Sequence, residues 1–223
     1  AQLGLQPFVL AAPYVGEASL LENGDVATRA GFRLRRVRVG FDGRFGPAWR
    51  MLLILSPLQS DADTRTISDA KVTYAPATWL RLSMGVGKVP FSRGALESSA
   101  RIASIERPLS VVAIAPFERL GATVEGAVWS NRFSYLLAVA NGSEGFPEGN
   151  RFGGLLYGGR LVFNIFGSIH SRHLDGAYGR GLALGASAFR RDGPSAVGEA
   201  ASVDIVLALG GASLHLEGLC DRN

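Results

Sequence analysis

A cluster of arginines near the N-terminus is the first feature of the sequence that could do chemistry. Residues 28–41 read T-R-A-G-F-R-L-R-R-V-R-V-G-F, with five arginines within ten consecutive positions. A guanidinium group is a planar fork of donors that suits oxyanions such as phosphate and carboxylate. Arginine and apolar residues alternate as in a strand, but the phase changes at Arg35-Arg36, where a bulge would turn both halves to one side. The arginines of this row are Arg33, Arg35, Arg36 and Arg38.

A long segment without clear alternation, residues 90–118, is the second candidate. A connection of this length in a compact protein is usually functional. It carries charged residues with small residues between them, namely Arg93, Glu97, Arg101, Glu106 and Arg107. Folded inward, the segment would narrow a channel and filter its solutes with mixed charge. Folded outward, it would be an ordinary surface loop.

The other chemistries that the residue types could support are weakly indicated. His170 and His173 have an H-x-x-H spacing, but the third histidine, His215, is far along the chain, so we predict no metal site. Neither lysine lies in a phosphate-binding P-loop frame, and no nucleic-acid recognition module accompanies the arginines. Ser168 and Ser171 flank His170 without indicating a catalytic triad. We therefore predict no cofactor, no nucleic-acid partner and no enzymatic activity.

Composition limits the classes that remain. The chain has 223 residues, 47% hydrophobic and 19% charged, with 29 glycines and a single cysteine, which excludes disordered, collagen-like and disulfide-stapled proteins. No apolar run approaches the roughly 20 residues of a spanning helix. The net charge of +4 comes from 21 arginines and only two lysines. A GC-rich genome that favours arginine codons is the simpler explanation of this bias, so only the positions of the arginines can indicate a function.

The elements that must position these residues are predicted to be strands. Turn residues punctuate the chain every 8 to 15 residues, and the segments between them alternate apolar with polar residues. About eleven strands result, at residues 5–15, 28–41, 48–58, 67–75, 79–89, 119–129, 133–141, 155–165, 181–191, 201–209 and 212–220. Their lengths resemble the roughly 9 to 11 residues of a tilted transmembrane strand. Short and long connections alternate, as at the two rims of an outer-membrane barrel.

The two faces of these strands differ in polarity. In residues 79–89, for example, Leu82 and Met84 share one face and Arg81 and Ser83 the other. A soluble sandwich would alternate in the same way, but the strand lengths and the two unequal rims favour an antiparallel transmembrane barrel with a polar lumen. Aromatic residues beside the short turns suggest an interfacial girdle: Trp49, Trp79, Trp129, Phe133 and Tyr135. Arg81 and Arg119 are predicted to line the lumen with the arginine row.

The arginines have two possible roles in such a lumen. A cationic strip between low-dielectric walls concentrates anions, and rows of arginine or lysine select anions in pores. Alternatively, the arginines pair with lumen carboxylates such as Asp69, Glu125 or Glu217, which would stiffen the wall and select little.

Several motifs together resemble the phosphate-selective porin O and P family over residues 28–145, and more weakly to the end. In order they are F-R-L-R-R-V-R-V-G-F-D-G at 32–43, I-S-D-A-K-V-T-Y at 67–74, G-K-V-P-F-S at 87–92, E-R-P-L at 106–109, R-L-G at 119–121 and A-N-G-S at 140–143. The resemblance implies a trimeric outer-membrane porin with a barrel of about 16 strands. It also implies an arginine-lined path and an inward-folded loop at residues 90–118. Because such a barrel needs a longer chain, we expect residues 1–223 to be one barrel domain that is incomplete at the C-terminus or completed by other strands.

The sequence therefore predicts a bacterial outer-membrane channel for passive diffusion of small anions such as phosphate. Its expected partners are outer-membrane lipid, the anions and further copies of itself as a homotrimer. The alternative is a structural or assembly barrel of an envelope complex, with a lumen that is closed or plugged.

Overall fold

The structure is a computed structural model that describes residues 2–12, 31–59, 67–97, 107–142, 150, 153–169, 179–193 and 198–222. Side chains are described in the same ranges from residue 38 onward, apart from 57–59. Several predicted residues lie outside this part of the chain: Arg101, Glu106, Ser171, His170 and His173. The side chains of Arg33, Arg35 and Arg36 lie outside it as well.

Eleven strands account for most of the described residues, as predicted. They are β1 (Gln2–Ala12), β2 (Gly31–Phe45), β3 (Trp49–Gln59), β4 (Ile67–Ala77), β5 (Leu80–Lys88), β6 (Glu118–Val128), β7 (Phe133–Asn141), β8 (Leu155–Phe166), β9 (Arg180–Asp192), β10 (Gly198–Leu209) and β11 (Ser213–Arg222). The main error is at residues 42–45, which lie between the predicted strands 28–41 and 48–58 and were expected to belong to the turn that joins them. Strand β2 continues to Phe45, and the turn occupies 46–48, because Asp42 and Arg44 continue the alternation of the strand.

Two short helices, which the sequence did not predict, lie in the segment between β5 and β6. They are α1 (Arg93–Leu96) and α2 (Leu109–Ile114). Helix α1 begins after Ser92, whose hydroxyl accepts a hydrogen bond from the Ala95 amide. Ordinary N-capping of this kind satisfies one of the amides that the first turn leaves unpaired.

The strands form one antiparallel meander in which each strand pairs with the next along the chain, from β1 to β11. The fold is therefore all-β, as predicted. Short turns join β2 to β3, β4 to β5 and β6 to β7, all at the same end of the strands. Within the described residues the edge strands β1 and β11 are not paired with each other. No helix in this part of the chain is long and apolar enough to cross a membrane.

The two faces of the sheet separate apolar from polar side chains. In β7, Leu137 is 50% exposed on the outer face, whereas Leu136 and Ala138 are buried on the inner face. The same alternation leaves large apolar side chains exposed on the outer faces of other strands: Met84, Tyr157, Leu161, Phe163, Leu184, Val203, Ile205, Leu214 and Leu216. An apolar outer face is what a barrel presents to hydrocarbon.

Aromatic residues lie at the end of the strands where the short turns are. Trp49, Trp79 and Trp129 are all more than half exposed there. The Trp49 ring lies 4.8 Å from that of Tyr74, and the Tyr135 hydroxyl donates to the Trp79 carbonyl. This end of the strands therefore has the amphipathic composition of an aromatic girdle, as the sequence predicted.

Two clusters of buried apolar residues lie against the inner face of β7 to β10. One cluster consists of Val162, Ile169, Ala183, Val206 and Ala208. A second consists of Val89, Ala140 and Leu156, with Phe189 packed against it. Because Val89 follows β5, residues of the connection between β5 and β6 reach across the sheet and cover these distant strands.

Gly85 allows β4 and β5 to pair closely. Its φ is +135°, and a Cβ atom there would lie 2.1 Å from the Ala70 carbonyl oxygen. We expect Gly85→Ala to lower the free energy of unfolding by about 2 kcal/mol or more through backbone strain and overpacking. Urea titration of the protein in lipid vesicles would measure this. Gly218→Ala is the control, because its Cβ would meet only Val203 at 3.9 Å; equal effects would contradict the prediction.

Candidate functional site

The backbone of β2 contains the irregularity that the arginine phase predicted. Phe8 of β1 pairs with Arg36 and Val9 pairs with Leu34, so Arg35 is an extra residue in β2. One added residue shifts the alternation by one position, which is the purpose of a bulge in a strand.

A cavity of about 1110 Å³ lies against the inner face of β2 to β7. Ionisable side chains line much of it. Its cationic residues are Arg38, Arg44, Arg50, Lys71, Arg81, Lys88 and Arg119, and its carboxylates are Asp42, Asp69, Glu118 and Glu125. Among the described residues, seven cations therefore face four carboxylates, an excess of three positive charges. Three residues of the predicted pathway lie here together: Arg38, Arg81 and Arg119.

Ion pairs between described residues run along the cavity wall. Arg50 Nε lies 2.8 Å from Asp42 Oδ1, Lys71 Nζ lies 3.1 Å from Asp69 Oδ1, and Arg81 Nη1 lies 2.8 Å from Glu125 Oε1. Arg81 and Glu125 are direct neighbours across β5 and β6, where opposite charges attract. Asp69 and Glu125 were suggested by the sequence as partners of the arginine row on β2. They pair instead with cations outside β2, namely Lys71 and Arg81.

Lys88 is a cavity residue that the sequence-based set of site residues omitted. Its ammonium donates to the carbonyl oxygens of Ala95, Leu96 and Glu97 at 2.6, 3.3 and 2.6 Å. It therefore joins the end of β5 to the end of α1. Lysine is rare in this chain, and Lys88 stands directly before the long connection, so the sequence did contain a signal for it.

The described charged residues of the long connection are used differently from the prediction. Arg93 and Glu97 are fully buried, and neither they nor Arg107 line the cavity. Arg107 Nε donates to the Gly94 carbonyl at 3.0 Å, and its guanidinium lies 5.7 Å from the Phe117 ring centre. The expected contact of Arg93 with solutes is therefore wrong for this arrangement, because its guanidinium is buried against the wall.

The partner of Arg93 is Asp204 on β10. Arg93 Nε lies 2.7 Å from Asp204 Oδ1, and Arg160 Nη2 of β8 lies 2.6 Å from Asp204 Oδ2. All three side chains are fully buried. Asp204 and Arg160 were not among the predicted site residues, although Arg160 is the single charge of β8 and Asp204 stands in the apolar part of β10.

Glu217 on β11 completes the contacts of α1 with the wall. Its Oε1 accepts from the Arg93 amide at 2.9 Å and its Oε2 from the Gly94 amide at 3.2 Å. The sequence suggested Glu217 as a partner of the arginine row, whereas the structure pairs it with the backbone of the long connection.

Comparison with known proteins gives two matches. The sequence model described as phosphate-selective porin O and P matches residues 15–174. An uncharacterized protein of Aquifex aeolicus (strain VF5) is 28% identical over 189 residues, covering 71% of this chain and 45% of the relative. The chain thus spans less than half the length of this relative.

Proposed function

The chain belongs to the phosphate-selective porin O and P family, and we propose that it forms a channel through which small anions diffuse passively across the bacterial outer membrane. The observation that carries the proposal is the excess of three positive charges in the cavity of β2 to β7. A confined aqueous space with a cationic lining attracts anions and repels cations. The family is one of channels, and this proposal requires no cofactor.

The path of the anion follows the β2 to β7 side of the lumen. Support comes from the packing of the other side, where α1 and its flanking residues cover the inner face of β8 to β11. Phe91, for instance, makes an edge-to-face contact with Phe189 at 4.8 Å. We infer that the long connection constricts the channel by occupying one side of it, with Arg93 and Glu97 buried against the wall.

The cations of the path have different tasks. Arg81, Lys71 and Arg50 have carboxylate partners and contribute mainly to a polar, ordered wall. Arg38 lines the cavity on β2, and we assign it an attraction for the anion, whereas the Lys88 ammonium is held by the carbonyls at the end of α1. Arg36, the bulge residue Arg35 and Arg33 follow Arg38 toward the start of the same strand and would draw anions along β2. We further propose association with outer-membrane lipid and assembly as a homotrimer.

Conductance measurements test the proposal directly. With the protein in a planar bilayer between unequal KCl concentrations, we expect a reversal potential of the sign that chloride permeation produces. The excess of cations along the path should make the permeability ratio of chloride to potassium on the order of two or more. Added phosphate should lower the chloride current by competing for the same cations. A preference for potassium would contradict the proposal.

The alternative function is a structural barrel of an envelope complex, and the filled inner face of β8 to β11 is the feature that favours it. A protein that inserts into bilayers, conducts no ions and co-purifies with other envelope proteins would support that alternative. Steady conductance by the purified protein alone would exclude a plugged lumen.

A further inference from the structure

Helix α1 cannot owe its position to its own stability. It has only four residues, and isolated helices shorter than about 12 residues are marginal in water. All four residues are nevertheless buried. Contacts with the barrel wall must therefore hold the helix in place.

Charged side chains of the barrel wall form hydrogen bonds with both ends of α1. Glu217 accepts from the amides of Arg93 and Gly94 at the start of the helix, and Lys88 donates to the three carbonyls at its end. The first amides and last carbonyls of a helix lack partners within it. The wall supplies these partners from β11 and β5.

The middle of the contact is the buried triad of Arg93, Asp204 and Arg160. One carboxylate oxygen of Asp204 binds the guanidinium of the loop residue, and the other binds that of the wall residue. Charge-assisted bonds of this length are among the strong hydrogen bonds of proteins. The triad thus joins the connection to a strand more than a hundred residues further along the chain.

Gly185 shows that the wall is shaped around the triad. A Cβ atom at this position would lie 2.2 Å from Asp204 Oδ2 and 2.5 Å from Arg160 Nη2. Beside it, the Ser92 amide donates to Ser187 Oγ at 3.0 Å, and Ser187 shares a hydrogen bond with Ser202. Three neighbouring strands, β8, β9 and β10, therefore contribute to the surface against which α1 packs.

We propose that the buried triad fixes α1 against β8 to β11 and thereby sets the open cross-section on the opposite side of the lumen. Arg93, Asp204 and Arg160 are positioning residues, which act on the solute only through the placement of the loop. This inference rests on the proposed channel function for its consequence, but not for the attachment itself.

The variant Arg93→Met separates the loop from the wall. Asp204 keeps Arg160 as its partner, so the wall retains a neutralised charge and the barrel is expected to fold. We expect the single-channel current to lose its single steady level. It should fluctuate between several levels as α1 separates from the barrel wall. Arg93→Lys restores one cationic partner for Asp204 and should recover the steady level. Arg190→Met, which removes an exposed arginine paired with Asp192, is the matched control and should leave the current unchanged.

A second measurement reports the loop without requiring conduction. Ala95 is 3% exposed, so a cysteine placed there by Ala95→Cys, with Cys220→Ser to remove the native thiol, should react slowly with a charged thiol reagent. Adding Arg93→Met should raise the labelling rate at least about tenfold, because local opening exposes the site. An unchanged rate together with an unchanged current would overturn the proposal. If the protein conducts no ions but the labelling rate rises, the attachment is supported and the channel function is refuted.

Discussion

Replacing Asp204 with alanine is expected to lower the free energy of unfolding by about 3 to 5 kcal/mol, or to prevent folding. The substitution removes the shared partner of Arg93 and Arg160, which are both fully buried. Two guanidinium groups would then remain close together, out of contact with bulk water. Removing one member of a buried charge network costs more than the network contributes, because the buried charges left behind lose the partner they share.

Urea titration in lipid vesicles, followed by tryptophan fluorescence and heat-modifiable gel mobility, measures this effect. Asp192→Ala is the control, since Asp192 also pairs with an arginine but is half exposed, and exposed pairs contribute about 1 kcal/mol or less. If Asp204→Ala prevents folding, the triple variant Arg93→Met, Asp204→Leu and Arg160→Met replaces the charges with apolar groups and should restore it. Equal effects of the two alanine substitutions would show that the triad is not effectively buried.

The largest effect on ion selectivity is expected from the double variant Arg38→Glu and Arg44→Glu. Both residues belong to β2 and line the cavity. The exchange reduces the cations of the described lining from seven to five and raises the carboxylates from four to six, so an excess of three positive charges becomes an excess of one negative charge. The field along the path changes sign, and the reversal potential in a KCl gradient should change from anion to cation preference.

The control for selectivity is the double variant Arg190→Glu and Arg222→Glu. It alters the net charge by the same amount, but both arginines are exposed and lie outside the cavity lining. Because exposed charges are screened within roughly 8 Å in physiological salt, this variant should keep the preference of the parent protein. If both pairs shift the reversal potential equally, the cavity of β2 to β7 is not the path of the ions.

The sequence was sufficient to predict the strands because a strand is a local pattern. Side chains alternate between the faces of a sheet with a period of two, so the polarity of each residue indicates the face on which it lies. The same rule located the bulge, since the arginines of β2 change phase at Arg35-Arg36. It also placed Arg81 and Arg119 on the polar face, where both line the cavity. Residues 42–45 were misassigned because Gly43 and Pro47 suggest a turn more strongly than the continuing alternation suggests a strand.

The fate of the charges in the long connection could not be predicted in this way. Alternation determines the face of a strand residue, but residues 90–118 have no period from which to infer a direction. Arg93 was expected to meet solutes, whereas its partner is Asp204, which lies 111 residues further along the chain. The sequence alone determined a meander of long amphipathic strands with a cationic strand near its start. The tertiary structure decided which charges face water, because a charge can be buried only where the fold brings an opposite charge within hydrogen-bonding distance.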